Sequence, residues 1–436
     1  MSIPSSYNRN LRTYSNGFRV RIVDPEDGFY TDDHPFPITL GDSLSRDPFS
    51  RLKVSMPVTL LENVPGYGLN PLSMDTYTLG AGATATFSAS SSFVQLNTGA
   101  VTSGNRVVRQ TKAYAPYFPG KGQTILISFC PNKEDTTNVQ KNVGYFDDNN
   151  GFFFRNNNNK LFLVWRTSTL TGAAFDNVIA QSDWNIDQFD GTGPSGVNLD
   201  LSKTQILYID FQWLGVGRAR IGFGVDGNLF LAHEFLFTNN YAVPYMRSGF
   251  LPVRYEIRNT GLANTACTMK EICLAVMTEK SNSRIEGLSF SVGTGKTTTS
   301  VSTRRNVLSI RQVQNLNGLP YFGDINLSNL GVYCADADVT YDIVLNPVFT
   351  GGIWTSVGAN TGIEFNTFNT SVVGGTILKS GYISATNKIS NVGNDELPDF
   401  KFGKTYLGTS DIISFVFESL SGSALIACSL GYKEWY

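Results

Sequence analysis

Charge is scarce in this chain. Only 16% of its 436 residues are Asp, Glu, Lys or Arg, against roughly 25% in an average globular protein. The 34 basic and 36 acidic residues nearly cancel, for a net charge of −2. That lacks the basic footprint of a nucleic-acid binder, so direct genome binding is not expected. Histidine is scarcer still. His34 and His233 are the only two, which gives no metal-binding histidine pair and a single mid-strand candidate for a Ser-His-Asp triad. The five cysteines (Cys130, Cys267, Cys273, Cys334, Cys428) are odd in number and scattered, with no Cys-x-x-Cys spacing. They read as buried reduced thiols of a protein folded in a cytoplasm. No apolar run reaches the roughly 18–20 residues of a membrane span, and no charged head with an apolar stretch opens the chain. Membrane insertion is not expected.

What fills the space is Asn, Ser, Thr, Gly and aromatics, with 30 Phe and 19 Tyr. Short apolar runs punctuated by turn residues recur from about residue 72. Examples are Ala83–Ser88, Val107–Lys112, Thr124–Phe129, Gly151–Phe154, Lys160–Arg166, Gln205–Trp213, Val253–Asn259 and Lys270–Thr278. Without intervening helices, this pattern predicts antiparallel β-sandwiches of the jelly-roll or lectin-like type. The clearest hairpin is Arg218–Val225, an Asp226-Gly227 turn, and Asn228–Phe235. A two-residue Asp-Gly loop supplies the positive φ angles of a type I′ turn.

The first 70 residues differ. Pro4, Pro25, Pro35, Pro37, Pro48, Pro57 and Pro65 break any continuous ladder. Residues 1–70 therefore read as an extended N-terminal arm, with a disordered tail as the alternative. Within it Leu52, Val54, Met56, Val58 and Leu60 alternate as one apolar edge, which argues for docking on a neighbouring subunit. The Gly/Ser/Thr stretch Ser291–Thr303 reads as a linker. It separates a large sandwich, residues 71–290, from a smaller one, residues 291–436.

Trp213-Leu-Gly-Val-Gly-Arg218, His233-Glu-Phe235, Leu251-Pro-Val-Arg-Tyr-Glu-Ile257 and the arm segment Asp47–Leu61 resemble a group of virion structural proteins of tailed phages and large double-stranded DNA viruses. Ser410–Phe417 and Trp435 fit the same group more loosely. The resemblance implies a non-enzymatic virion protein made in the host cytoplasm. It further implies a homo-oligomer, a trimer or pentamer, bound to other virion proteins on a capsid or tail. A contribution to host attachment would be compatible with it. The alternatives are a glycan-binding adhesin or receptor-binding protein, with Trp184 and Trp213 foremost as stacking platforms beside Trp165 and Trp354, and a glycosidase on a lectin-like sandwich.

Catalytic motifs are incomplete. Gly293-Thr-Gly-Lys-Thr297 mimics the end of a phosphate-binding loop, but Phe290 stands where its first glycine is required. Gly191-Thr-Gly-Pro-Ser-Gly196 is followed by Val197 and makes no nucleophile elbow. Glycosidases on such sandwiches carry Glu, Asp and Glu at alternate strand positions. Here the alternation is Tyr208, Asp210, Gln212. A retaining enzyme needs two carboxyl groups about 5 Å apart, so Glu234 or Glu256 would have to join Asp210. His233 is expected opposite Arg220. The oxygen-rich Asp147-Asp-Asn-Asn-Gly151 reads as a hairpin turn, and Asp183, Asp187 and Asp190 as Asx-turn formers in preference to calcium ligands. No cofactor is expected.

Overall fold

The structure, a computed structural model, describes residues 20–22, 38–40, 46–54, 56–134, 137–279, 287–348, 351–368, 370–392, 397 and 400–436. Most of the arm before Arg46 lies outside the described residues. The fold is all-β. Every strand pairing is antiparallel, and the described residues contain no α-helix, only single 3-10 turns at Gln181–Asp183 and Ala385–Asn387.

Two sandwiches follow one another along the chain. In the first, a seven-stranded sheet runs Phe175–Ala180, Lys160–Thr167, Gly151–Asn157, Val139–Phe146, Val253–Asn259, Arg106–Thr111, Met74–Leu79. Its partner sheet has eight strands. Seven run in the order Asn228–Phe235, Ala219–Val225, Gln205–Phe211, Gln123–Cys130, Thr268–Glu279, Phe93–Asn97, Thr84–Ser88. Alternation decides what lies between the sheets. Tyr145, Phe152, Phe154 and Trp165 from one sheet meet Ile125, Phe129, Leu207, Ile209 and Phe211 from the other in one buried cluster. Between them an ion pair also spans the interior. Arg109 reaches Glu271, and both side chains are fully buried. Thr76 Oγ1 accepts from Arg109 at 2.8 Å, and Asn63 donates to Glu271 at 2.9 Å. Burial pushes the Glu271 carboxyl up even with the guanidinium beside it.

The eighth strand is Pro57–Asn63. It pairs with the C-terminal half of the Thr268–Glu279 strand, whose other half on that edge is taken by Phe93–Asn97. This part of the expected arm is thus a sheet strand of the first sandwich, with Leu60 and Leu61 packed on its core. The physical reason is the unfilled ladder of a twelve-residue strand. Pro57 opens the added strand, where a missing N–H is tolerated.

The second sandwich has its own core, including Leu308, Ile310, Ile325, Val332, Ile343, Phe415 and Ile426. Its sheets have five and six strands. The stretch read as a linker is part of it. Leu288–Gly293 and Thr299–Val301 both pair with the long Ala424–Trp435 strand. Strand content therefore passes from one sandwich to the other between Glu279 and Leu288. All five cysteines are free, and only Cys273 is not fully buried.

The sandwiches touch through charged and aromatic contacts. Lys112 of the first pairs with Asp411 of the second, with both side chains almost wholly buried. Tyr114 stacks on Phe322 at 3.8 Å between centroids. Tyr406 accepts from Arg106 at 2.7 Å, and its backbone N–H donates to Asp75 at 2.6 Å.

Candidate functional site

On the Gln205–Phe211 strand, Leu207, Ile209 and Phe211 face the core, so Tyr208 and Asp210 belong to the outer face. An outer face should be wet, yet Tyr208 is 2% exposed, Asp210 0% and neighbouring Gln212 1%. The cover is the segment Arg46–Lys53. Asp47 folds it into a tight turn by accepting from the backbone N–H groups of Phe49 and Arg51 at 3.0 and 2.9 Å. Asp47 also holds the Arg51 side chain at 2.6 Å.

The contacts between segment and sheet are reciprocal. Two sheet arginines donate to its backbone: Arg218 to the Pro48 carbonyl at 2.7 Å and Arg220 to the Arg46 carbonyl at 2.6 Å. In return the sheet accepts its cations. Lys53 donates to Asp210 at 3.2 Å, and Arg51 to Gln212 at 3.3 Å and to the Gly120 carbonyl at 2.9 Å. Asp210 also receives Arg220 at 2.5 Å and the Tyr208 hydroxyl at 2.7 Å. Burial, and then Asp210, push the Tyr208 hydroxyl well up, so it remains a donor. This is a socket that reads a basic turn of polypeptide.

The candidate glycosidase groups do not assemble. Glu256 lies on the other sheet, paired with Arg106 at 3.1 Å. Glu234 is opposite Arg220 in register and holds Arg218 at 3.0 Å, so arginines stand between it and Asp210. The carboxylate that does face the socket is Glu279, at the end of the Thr268–Glu279 strand. Burial raises it, with Asp47 and Asp210 adding to the effect and Lys53 opposing it. No alternation signals Glu279 in sequence, because it joins from a different strand. The one carboxylate on the expected strand, Asp210, is sealed and held by two cations and a hydroxyl, a poor nucleophile.

His233 stands opposite Ile221, not Arg220, because a bulge follows at Ile221/Gly222. Its Nδ1 accepts from the Asn185 backbone N–H at 3.1 Å. Burial lowers its pKa to about 4, so the ring is neutral at pH 7 and structural in placement.

The tryptophans divide. Trp184 is not a surface platform: it is 1% exposed, with its ring on Phe223 and its Nε1 donating to the Ile179 carbonyl. The glycine-rich loop tucks it into the core, where its large apolar area is best satisfied. Trp165 is buried too. Trp213 is half-buried, edge-on to Tyr117 at 5.7 Å, and Trp354 packs on Arg311 at 4.1 Å. Along the arm edge, Val54 and Met56 are 90% and 85% exposed, Leu52 and Val58 are partly exposed, and only Leu60 packs on the core.

The tight Trp213–Arg218 loop shows why its glycines are needed. A Cβ at Gly217 would meet the Gln212 carbonyl at 1.8 Å, and Gly215 has φ +78°. The acidic loops are self-capped. Asp187 accepts from the Phe189 and Ser195 N–H groups, and Asp190 from Thr192. Among the described residues no three His, Cys, Asp or Glu gather to hold a metal ion.

No family model matches the chain, and no curated protein matches it. Solved structures do, each over about half of it. A carbohydrate esterase of Shiga toxin-encoding bacteriophage phi24B is 14% identical and covers 52% of this chain and 100% of its own, with a TM-score of 0.32. A legume lectin-like domain from Entamoeba histolytica is 11% identical over 50% of this chain and 97% of its own, at 0.29. The CBM2 module of the evolved Dit of Lactobacillus casei BL23 phage J-1 is 6% identical over 52% and 99%, at 0.32.

Proposed function

We propose that this chain is a non-enzymatic structural protein of a virus particle, forming a symmetric trimer or pentamer on a capsid or tail. One observation carries the reading. Three of the segments that resemble virion proteins, Asp47–Leu61, Trp213–Arg218 and His233–Phe235, meet at one place, where Arg218 binds both Pro48 and Glu234. Segments far apart in sequence thus build one socket, and that socket grips a turn of polypeptide. Such a grip suits an assembly scaffold, in which a polypeptide arm is fixed by backbone and charge contacts.

The sealed Asp210 supports a binding or structural role over hydrolysis. Sedimentation velocity on the purified chain tests the assembly: a discrete trimer or pentamer at micromolar concentration is expected. A monomer throughout that range would overturn it. A tag on this protein, located by electron microscopy of the particle, would then distinguish shell, vertex and tail.

A further inference from the structure

Where the sandwiches meet, two turns face each other across a cleft of about 270 Å³. One is the Asp147–Asn150 turn of the first sandwich. The other is the tip of the second sandwich's Asn315–Pro320 hairpin, with Asn317 and Gly318 at positive φ. The volume lies just below the roughly 300–1,000 Å³ of drug-sized sites, which sets the scale at a small ligand.

The walls combine two chemistries. Phe250, Phe322 and Tyr436 supply flat apolar surface, while Asp147, Asn149 and Ser248 supply polar groups. Tyr436 is 56% exposed, its hydroxyl tethered to the Asn360 carbonyl at 3.3 Å and its ring edge-on to Tyr321. Asp147 is the informative residue. It is 8% exposed. Its Oδ1 accepts from the N–H groups of Asn149 and Asn150 at 2.7 and 2.8 Å. Its Oδ2 has no hydrogen-bond partner among the described residues. At the cleft wall this oxygen is open to a donor from a ligand.

The neighbouring charges narrow the class. Asp148 is already held by Arg254 at 2.6 Å and Arg106 at 3.4 Å. Arg247 is exposed at the rim. An anionic ligand would meet Asp147, and a purely apolar one would leave Asp147 and the amide unsatisfied. A ligand with apolar faces and a girdle of hydroxyl donors satisfies both walls. We infer that the cleft between the sandwiches is a saccharide site, taking a neutral pyranose whose hydroxyls donate to Asp147 and whose C–H face lies on Phe250. The inference is independent of the assembly reading, since it concerns binding by a single chain.

Saturation-transfer NMR on the full chain tests it, with D-glucose, D-galactose, D-mannose and N-acetyl-D-glucosamine at millimolar concentration. Transfer to the ring C–H protons of at least one sugar is expected. Asp147→Asn keeps an acceptor for the turn but removes the charge, so it should melt like the wild type and bind that sugar at least tenfold more weakly. Phe250→Ala should abolish the transfer. No transfer from any of the four sugars would overturn the site, and so would an Asp147→Asn protein that binds as the wild type does. Because Asp147→Asn preserves the turn, it decides the matter even if Phe250→Ala does not fold.

Discussion

Asp210 and Arg220 lie opposite each other on adjacent strands, joined at 2.5 Å with neither side chain exposed to solvent. The pair lies between the sheet and the Arg46–Lys53 segment, so its charges have no water to fall back on. Asp210→Ala would leave Arg220 buried beside a void. A loss of about 3–5 kcal/mol is expected, with Asp210→Asn costing less because it keeps an acceptor. Urea denaturation measures the loss, and amide exchange at residues 46–53 should speed up in the same variant. An unchanged midpoint together with unchanged exchange would mean that the segment is held by something other than this socket.

The Asp226-Gly227 turn has φ +50° and +78°, and a Cβ at Gly227 would meet nothing within 4 Å. Any penalty there is conformational, not steric contact with neighbours. Gly227→Val should cost about 1–3 kcal/mol, and Gly227→Asn clearly less, since Asn tolerates this region. Equal melting of the valine variant and the wild type would contradict the assigned turn.

His233 gives a pH dependence whose sign can be worked out. Its folded pKa is lowered to about 4, while an unfolded histidine titrates near about 6.5. Between those values the unfolded chain binds a proton that the folded one refuses, so stability falls as pH drops through that window. Above it the contribution is fully present. With only two histidines in the chain, an NMR titration can resolve the ring directly. A His233 midpoint near 6.5 would show the ring to be solvated.

Lys112 and Asp411 tie the sandwiches together, and Asp411 also accepts from the Gly403 N–H at 3.2 Å and from Asn346 at 2.8 Å. Asp411→Ala should therefore cost about 3–5 kcal/mol by stranding a buried ammonium. It should also separate the melting of the two sandwiches in a calorimetric scan. One transition at the wild-type temperature would show that the pair contributes little to their coupling.

Removing residues 1–70 should destabilise the first sandwich. It strips Pro57–Asn63 from the sheet, takes Leu60 and Leu61 off the core, and deprives Glu271 of Asn63. A destabilisation on the order of 3–5 kcal/mol is expected, read as a lower melting temperature of the 71–436 chain. Melting at the full-chain temperature would return this strand to the status of a detachable arm.

Much of the fold was legible because strand and turn signals are local. The Asp226-Gly227 hairpin follows from two residues that tolerate positive φ, and the all-β class from short apolar runs without helical spacing. The site was less so. Trp184 looked available because it opens a polar loop, yet that loop folds inward, and no pattern along the chain shows where a loop points. His233 missed its expected partner by one residue, since a bulge shifts register without a signature of its own.

The sequence by itself determined the backbone preferences, the near-zero net charge, the free cysteines and the absence of carboxylates at the strand positions flanking Asp210. Only the tertiary structure decided what covers each strand face. A period of two says that Tyr208, Asp210 and Gln212 point away from the core, but not that Arg46–Lys53 comes back over them. It also decided that Ser291–Thr303 contributes strands, because the long Ala424–Trp435 edge had donors and acceptors to fill. These outcomes depend on which unsatisfied backbone and side-chain groups meet in space, and residues distant in the chain supply the other half of each contact.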